Sequence, residues 1–552
     1  MVLRFLVILA VLTGAYLIGN GTTSLWDRDE PRYAQSSKQM LESGDWVVPR
    51  FLDELRLKKP IFIYWCQATA MKWFGPNAFS ARLPSVVTTV LALCLIALAV
   101  GRLDGARAAM WTAFVYGTCA LTFAAAKMAI TDAVLTLFIL GSQVCLARMY
   151  LGKGGWGTMV AMGLCVGLAG LTKGPVVLGV LGTTILALIV LRLLERWFPR
   201  ADTPPSRVTA GPLRPMRMIL KLLVVLAVTL AVVMPWIWAI ETRIPGYTLK
   251  TIYEEVIVRA GKPQEGHKGP PGYYLLLVWV TFFPWSLLLI GAAFEAWRQR
   301  HLPVVRFAIA AIVGPWVMFE LVATKLPHYI LPTYAPLAYL VARALIRSAE
   351  GETVEFHQPA WPNVVAIWSV VVAVAGLLPW LAAFFFHPLH WKSYVALGIL
   401  SVWAIFYAVK VHAEFARRYP SAAGMWMGLG MIGNVFLLYW GVFPVSQFMR
   451  VGERVAAVFP RDVPPGQAIM IEFKEPSLAF YQGGTIREQR DNQYLARTDP
   501  ADWPKWVVVT EPIWAELPED RRQRVTVAGR VRGWNYADGG RIVDVLVLRK
   551  ND

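Results

Sequence analysis

The feature that most restricts what this chain can fold into is a series of long apolar segments. A helix of about 20 apolar residues is long enough to cross the hydrocarbon core of a bilayer. Thirteen such segments occur before residue 445. The sequence therefore predicts a polytopic α-helical membrane protein. The thirteen candidate spans lie at residues 3–20, 79–100, 108–126, 133–150, 157–172, 175–195, 219–239, 273–296, 304–323, 329–348, 362–386, 394–412 and 422–444.

The distribution of Lys and Arg predicts how the chain is oriented. The formal net charge is +18, but much of it lies in the short gaps between apolar segments. This is the positive-inside pattern, so the excess charge indicates topology and not a surface for nucleic acid. The cation-rich gaps alternate onto one side, which we assign, with the N-terminus, to the cytoplasm. Residues 21–77, residues 240–272 and the tail then share the opposite face.

The composition changes after residue 445, and we predict two domains, 1–445 in the membrane and 446–552 outside it. Short β-branched runs separated by Pro, Gly and charged residues are typical of strands. The tail is therefore expected to be a small soluble α/β domain. Its predicted strands are Ala468–Phe473, Trp506–Thr510, Val525–Val531 and Ile542–Leu548.

The interval 21–77 is the longest polar stretch before the tail, and both of its ends are attached to predicted spans. Within it, Pro31–Leu41 and Pro60–Phe74 have the pattern of amphipathic helices that lie in the membrane interface. Asp29 and Glu30 precede the first of these helices and are held at headgroup height. Carboxylates favour helix N-termini, so the two acids also suit helix capping. Capping and ligand binding are compatible roles.

Other polar residues gather on the same predicted face, where loops and span ends meet. Singly, each is typical of an interface side chain. Together they favour a binding site for a lipid-linked phosphate, since phosphates bind Lys and Arg. This suggests group transfer from a polyprenyl-phosphate sugar, in which cations stabilise the leaving phosphate. The residues concerned are Lys59, Asp132, Lys173, Arg259, Glu265, His267, Lys325 and Tyr329.

A divalent metal at the same place is a further hypothesis. Asp29, Glu265 or His267 would bind it, and zinc, magnesium and manganese all accept such ligands. The chain lacks the local ligand spacing of dedicated metal sites. The sequence therefore assigns no cofactor and leaves the metal as a hypothesis.

Several short motifs occur along the chain, in the first loop and at the ends of the later spans. They are Trp26-x-x-Asp29-Glu30-x-Arg32-Tyr33-Ala34, Ser43-Gly44-Asp45-Trp46-x-Val48-Pro49, Lys59-Pro60, the Asp132 segment, Thr172-Lys173-Gly174, Gln264-x-x-His267, Pro284-Trp285 and Lys325-Leu326-Pro327-x-Tyr329. With these motifs the chain resembles the bacterial GT-C glycosyltransferases over essentially its whole length. Within this superfamily it is similar to the lipid A 4-amino-4-deoxy-L-arabinose transferases, which are related to the protein O-mannosyltransferases.

This resemblance implies a GT-C fold and an inverting transfer of 4-amino-4-deoxy-L-arabinose from undecaprenyl phosphate to a lipid A phosphate. The reaction would occur at the periplasmic face of the bacterial inner membrane. Its product would carry less negative surface charge and confer resistance to polymyxin and other cationic peptides. The tail and the site would both be periplasmic.

The resemblance also implies roles for individual residues. Asp29 matches the catalytic acid of the family, Asp132 its second acidic position, and Glu30 is grouped with them. The sequence departs from the pattern at Lys58, where enterobacterial relatives carry an acid, which puts a metal site using that acid in doubt. Substrate binding is expected from Arg32, Tyr33, Lys59, Lys173, Arg259, His267, Lys325 and Tyr329.

Two other classes of function stay open. Another GT-C enzyme, such as a protein O-mannosyltransferase or an arabinosyl or glucosyl transferase, would use the same carrier with a different sugar or acceptor. A secondary transporter or lipid flippase usually has polar groups at mid-membrane, in broken helices related by an internal repeat. Here the charged groups gather at span ends on one face and the sequence contains no visible repeat. The pattern therefore favours an enzyme.

Overall fold

The protein is a multi-pass membrane protein. The computed structural model describes residues 2–25, 28–197, 215–258, 269–351, 356, 358, 361–385 and 389–551. In these residues, ten helices are long and apolar enough to cross a membrane. The count rises to eleven if Tyr273–Thr281 and Trp285–Arg298, which meet at 119°, form one bent span.

The helices follow the order of the predicted spans and continue into the tail. In chain order they are α1 (Val2–Leu17), α2 (Glu30–Ser43), α3 (Phe62–Phe74), α4 (Ala78–Gly117), α5 (Ala120–Ala126), α6 (Thr131–Tyr150), α7 (Trp156–Lys173), α8 (Val176–Trp197), α9 (Pro215–Arg243), α10 (Tyr247–Ile252), α11 (Tyr273–Thr281), α12 (Leu289–Arg298), α13 (Pro303–Leu321), α14 (Tyr334–Ala349), α15 (Trp361–Phe385), α16 (Trp391–Ala416), α17 (Pro420–Leu437), α18 (Val451–Ala456), α19 (Pro476–Gln482), α20 (Tyr494–Arg497), α21 (Glu511–Glu516) and α22 (Glu519–Arg522).

Each of the thirteen predicted spans coincides with helical structure. The bent pair, one shared helix and one short helix together account for the difference between thirteen and ten. The predicted spans 79–100 and 108–126 share helix α4, which is interrupted at Gly105, a residue with a φ of 85°. Helix α1 is apolar but has only 16 residues. It is therefore shorter than the 18 residues that the other spans reach or exceed.

The two helices predicted inside the first loop are confirmed as α2 and α3. Helix α2 ends at Gly44, which adopts a left-handed conformation with a φ of 71° and donates its N–H to the carbonyl of Met40. This is the usual way in which glycine ends a helix. A short antiparallel hairpin, β1 (Arg50–Phe51) and β2 (Glu54–Leu55), lies between the two helices.

The tail contains a five-stranded mixed sheet in the order β4-β3-β5-β7-β6. Strand β3 is parallel to β4 and β5, whereas β7 is antiparallel to β5 and β6. The four predicted strands are confirmed. Strand β4 was missed because it is short and polar, without the apolar alternation of a strand. The strands are β3 (Ala468–Ile471), β4 (Arg487–Gln489), β5 (Trp506–Thr510), β6 (Val525–Asn535) and β7 (Arg541–Lys550).

Helices α8 and α13 pack at very short range around a glycine. A Cβ atom added to Gly314 of α13 would lie 2.3 Å from the carbonyl oxygen of Thr183 and 2.5 Å from its carbonyl carbon. Membrane helices associate largely by close van der Waals contact, which small residues permit. The approach of α8 and α13, whose residues line the cavity described below, therefore depends on this missing side chain.

We expect Gly314→Ala to lower the stability of the protein by about 1–3 kcal/mol, the usual range for overpacking. The added methyl group meets backbone atoms, which cannot rotate away. Gly182→Ala in α8 is the matched control, because nothing lies within 4 Å of a Cβ at that position. Thermal unfolding of the detergent-solubilised protein measures both. Equal melting temperatures for the two variants would contradict the close packing.

Candidate active site

A cavity of about 580 Å³ lies between the first loop and helices α6 to α10 and α13. Most of its lining is apolar and comes from the membrane helices. Such a space suits a lipid chain whose charged end meets a few polar groups. Within the described part of the chain, its titratable lining residues are Lys58, Lys59, Asp132, Lys173, Tyr247, His328 and Tyr329.

Asp132 is the centre of a buried polar cluster and is only 5% exposed. Lys173 Nζ donates to Asp132 Oδ1 at 2.7 Å, and His328 Nε2 lies 3.6 Å from Asp132 Oδ2. Lys173 Nζ is also 4.7 Å from the centroid of the Tyr329 ring. Asp132 is in the first turn of α6 and Lys173 in the last turn of α7. Helix dipoles favour a carboxylate and a cation at those two ends.

The structure thus brings together three predicted site residues, Asp132, Lys173 and Tyr329. His328 completes the cluster and was not predicted. Its position between Lys325 and Tyr329, in a motif already assigned to the site, was the available signal.

Asp29 faces a cation and does not cap its helix. It occupies the N-cap position of α2, but its side chain makes no capping hydrogen bond. Its Oδ1 lies 3.7 Å from Arg56 NH2, and the Arg56 guanidinium lies 4.8 Å from the centroid of the Tyr33 ring. The prediction that the Asp29 side chain caps helix α2 is therefore wrong. Arg56 follows the β1–β2 hairpin and was not among the predicted site residues.

Tyr33 interacts electrostatically with both Asp29 and Asp132. The pKa of Tyr33 is raised well above its ordinary value, chiefly because the side chain is buried. The neighbouring Tyr64, Asp29 and Asp132 raise this pKa further, whereas Arg56 lowers it. Tyr33 therefore stays a neutral phenol that can donate a hydrogen bond.

Glu30 has a different environment from Asp29, although the two residues are adjacent. Glu30 is 0% exposed and Arg82 of α4 is 1% exposed. Arg82 Nε donates to Glu30 Oε1 at 2.9 Å and Arg82 NH2 donates to Oε2 at 2.8 Å. The backbone N–H of Ala129 also donates to Oε1, at 2.7 Å. Glu30 is absent from the described cavity lining. These contacts give the Glu30 carboxylate a structural role, and its assignment to catalysis stays a prediction.

The remaining predicted residues are distributed unevenly. Lys59 lines the cavity. Arg32 acts electrostatically on Glu475 of the tail. Lys325 donates to Glu320 Oε2 at 2.8 Å and to the carbonyl of Pro270 at 3.2 Å. Arg32 and Lys325 are not among the described lining residues of the cavity, whereas Lys59 is.

Arg259, Glu265 and His267 lie outside the described residues. Their assignment to substrate or metal remains a prediction. In the part of the chain that the structure describes, no group of three or more His, Cys, Asp and Glu side chains could hold a metal ion.

Comparison with known proteins relates this architecture to a family. Residues 1–249 match the family model described as dolichyl-phosphate-mannose-protein mannosyltransferase. An undecaprenyl phosphate-alpha-4-amino-4-deoxy-L-arabinose arabinosyl transferase of Edwardsiella ictaluri is 32% identical over 430 residues, 75% of this chain and 72% of the relative. The transferase of the same name from Enterobacter sp. (strain 638) is 29% identical over 526 residues and 90% of each chain.

Among solved structures, ArnT from Cupriavidus metallidurans bound to undecaprenyl phosphate aligns with a TM-score of 0.74 at 21% identity, over 98% of this chain and 97% of that one. Its apo state aligns with a TM-score of 0.72. The fold is that of the GT-C class of membrane glycosyltransferases. With 32% identity over most of a curated relative, the chain belongs to the family of undecaprenyl phosphate-aminoarabinose arabinosyl transferases.

We expect Glu30→Gln to destabilise the protein by about 3–5 kcal/mol, because the Arg82 charge would stay buried without its partner. Asp45→Asn is the control. Arg243 NH1 lies 2.6 Å from Asp45 Oδ1, but the two side chains are 51% and 30% exposed. Such an ion pair contributes about 1 kcal/mol at most. Thermal unfolding in detergent compares the two variants, and similar losses would argue against a special role for the buried pair.

Proposed function

We propose that this protein transfers 4-amino-4-deoxy-L-arabinose from undecaprenyl phosphate to a lipid A phosphate. The observation that carries the proposal is similarity over most of the chain to transferases named for this donor. The cavity supports it, because an apolar space with Lys59 and Lys173 in its lining suits a lipid-linked phosphate. The donor lipid and lipid A are then both reached from the bilayer.

In this reaction, a phosphate oxygen of the acceptor attacks the anomeric carbon of the sugar. The bond from that carbon to the carrier phosphate breaks, and its electron pair leaves with the phosphate as an anion. Attack from the opposite side inverts the configuration. The leaving phosphate is stabilised by nearby cations and does not need a proton donor. Lys59 and Lys173 are suited to supplying that positive charge.

Asp29 has a positioning role in this proposal. A lipid A phosphate is ionised at neutral pH, so it needs little deprotonation by a general base. The side chain of Asp29 is 58% exposed and lies beside Arg56. Its charge is therefore suited to orienting the donor amine or the acceptor. Asp132, paired with Lys173, is suited to fixing that cation in the cavity.

We place the reaction at the periplasmic face of the bacterial inner membrane, with the N-terminus in the cytoplasm and the tail, 446–552, as a periplasmic domain. The alternation of cation-rich gaps supports this orientation. Adding an amino sugar to lipid A lowers its negative charge. Resistance to polymyxin and other cationic peptides follows from the weaker electrostatic attraction.

A second candidate function is transfer of a sugar to a protein hydroxyl group. The match of residues 1–249 to the mannosyltransferase family model favours it. A hydroxyl acceptor requires a general base, and Asp29 would then have to remove a proton. The two functions therefore differ in how they depend on Asp29.

Mass spectrometry of lipid A tests the proposal. The host lacks its own transferase but makes the aminoarabinose carrier, and it is analysed with and without this protein. We expect the aminoarabinose mass increment with the wild type and its loss in Asp29→Ala. Unmodified lipid A despite verified expression would reject the proposal, and glycoprotein products would then be examined. Full transfer by Asp29→Asn would exclude any role for the charge of Asp29.

Substitutions of Lys59 and Lys325 provide a matched test of donor binding at the site. We expect Lys59→Gln to raise KM for the lipid-linked donor about tenfold or more, since a hydrogen bond to a charged group contributes about 1.5–3 kcal/mol. Lys325→Gln should leave KM within about twofold of wild type and reduce stability, because Glu320 would lose its cationic partner. Steady-state kinetics in detergent with thermal unfolding measure both. An unchanged KM in Lys59→Gln would remove Lys59 from donor binding.

A further inference from the structure

Cations of the candidate active site follow the β1–β2 hairpin directly in the chain. The N–H of Arg56 closes the hairpin by donating to the carbonyl of Pro49 at 2.9 Å. Arg56 contacts Asp29, and the cavity residues Lys58 and Lys59 follow directly in the chain. The position of the hairpin therefore determines where these three cations can lie.

Leu52, at the tip of this hairpin, is buried in the tail. It is 8% exposed and belongs to the apolar cluster that contains Val451, Phe459 and Ile486. Gln39 of α2 binds both backbone groups of Leu52, accepting its N–H at 2.8 Å and donating to its carbonyl at 2.9 Å.

The backbone of Leu52 is also unusual. Its φ of 55° is in the left-handed region, which is uncommon for a bulky residue and persists where surrounding contacts enforce it. The packing of the Leu52 side chain and its two backbone hydrogen bonds with the Gln39 side chain are such contacts. The hairpin is therefore held at its tip.

Two ion pairs join the hairpin to the edge strand of the tail sheet and to the residue that follows it. Arg487 of β4 pairs with Asp53, and Arg490 NH2 lies 2.7 Å from Glu54 Oε1. The acids are on the hairpin and the cations on the tail. Because three of the four side chains are largely exposed and Arg487 is partly exposed, the pairs contribute orientation more than stability.

We propose that the tail sheet positions the phosphate-binding cations of the active site through the β1–β2 hairpin, with Leu52 as the anchor. Leu52 is a positioning residue, since it acts through Arg56 and Lys59. The inference rests on the proposed function, because it concerns the same site. It gives the tail a part in binding the anionic lipid-linked donor.

Two substitutions of Leu52 separate its backbone conformation from its burial. Asn tolerates a left-handed backbone but is polar, whereas Met keeps an apolar side chain of similar volume. The first readout, limited trypsin digestion of the full-length protein, needs no substrate. We expect cleavage after Arg56 to be at least fivefold faster in Leu52→Asn and within twofold of wild type in Leu52→Met. Equal cleavage rates in the wild type and both variants would contradict the role of Leu52 as the anchor.

The second readout is steady-state transfer from the lipid-linked donor. We expect Leu52→Asn to raise KM for the donor about fivefold, with kcat within twofold of wild type. We expect Leu52→Met to leave KM at its wild-type value. A general folding defect would instead lower the active fraction and therefore kcat. Faster cleavage after Arg56 with an unchanged KM would overturn the positioning role.

A charge exchange tests the same contact if Leu52→Asn does not accumulate. We expect Arg487→Asp to accelerate cleavage after Arg56 and raise KM, and the double variant Asp53→Arg/Arg487→Asp to reverse both changes. No reversal would contradict a specific contact. Absence of transfer by the wild type would reject the proposed function, whereas the cleavage pattern would still decide whether the tail holds the hairpin.

Discussion

The buried ion pair between Glu30 and Arg82 is the interaction on which the site depends. Besides Glu30, Arg82 donates to the carbonyls of Asn20 and Thr23 at 3.0 and 2.9 Å. Glu30 also accepts the N–H of Ala129. One pair therefore joins the start of the first loop, the start of α4 and the segment before α6. A buried charge without its partner is costly, so these three segments are held together.

This arrangement explains how adjacent acids acquire different tasks. Glu30 points into the protein and ties the first loop to the segment that leads to Asp132, whereas Asp29 stays at the edge beside Arg56. Two segments then supply cations to the cavity lining, the segment after the hairpin through Lys59 and the end of α7 through Lys173. An anionic carrier phosphate is the ligand that such a lining favours.

The membrane architecture and the helices of the first loop could be predicted, because they depend on local patterns. Apolar length predicted the spans, and the amphipathic pattern predicted α2 and α3. The side chains that pair with each other at the site were harder to predict from the sequence. Asp132 and Lys173 are 41 residues apart and Glu30 and Arg82 are 52 apart. No local pattern specifies such partners. The adjacent acids Asp29 and Glu30 could not be told apart from residue type.

By itself, the sequence determined that the chain crosses the membrane many times, that charged residues collect at span ends, and that a mixed α/β tail follows. These properties arise from the hydrophobic effect and from backbone preferences, which act over a few neighbouring residues. Only the tertiary structure decided that Lys325 pairs with Glu320, that His328 lies near Asp132, and that the tail buries Leu52 of the β1–β2 hairpin. Each depends on which side chains meet in space, because burial and charge pairing are set by packing between distant segments.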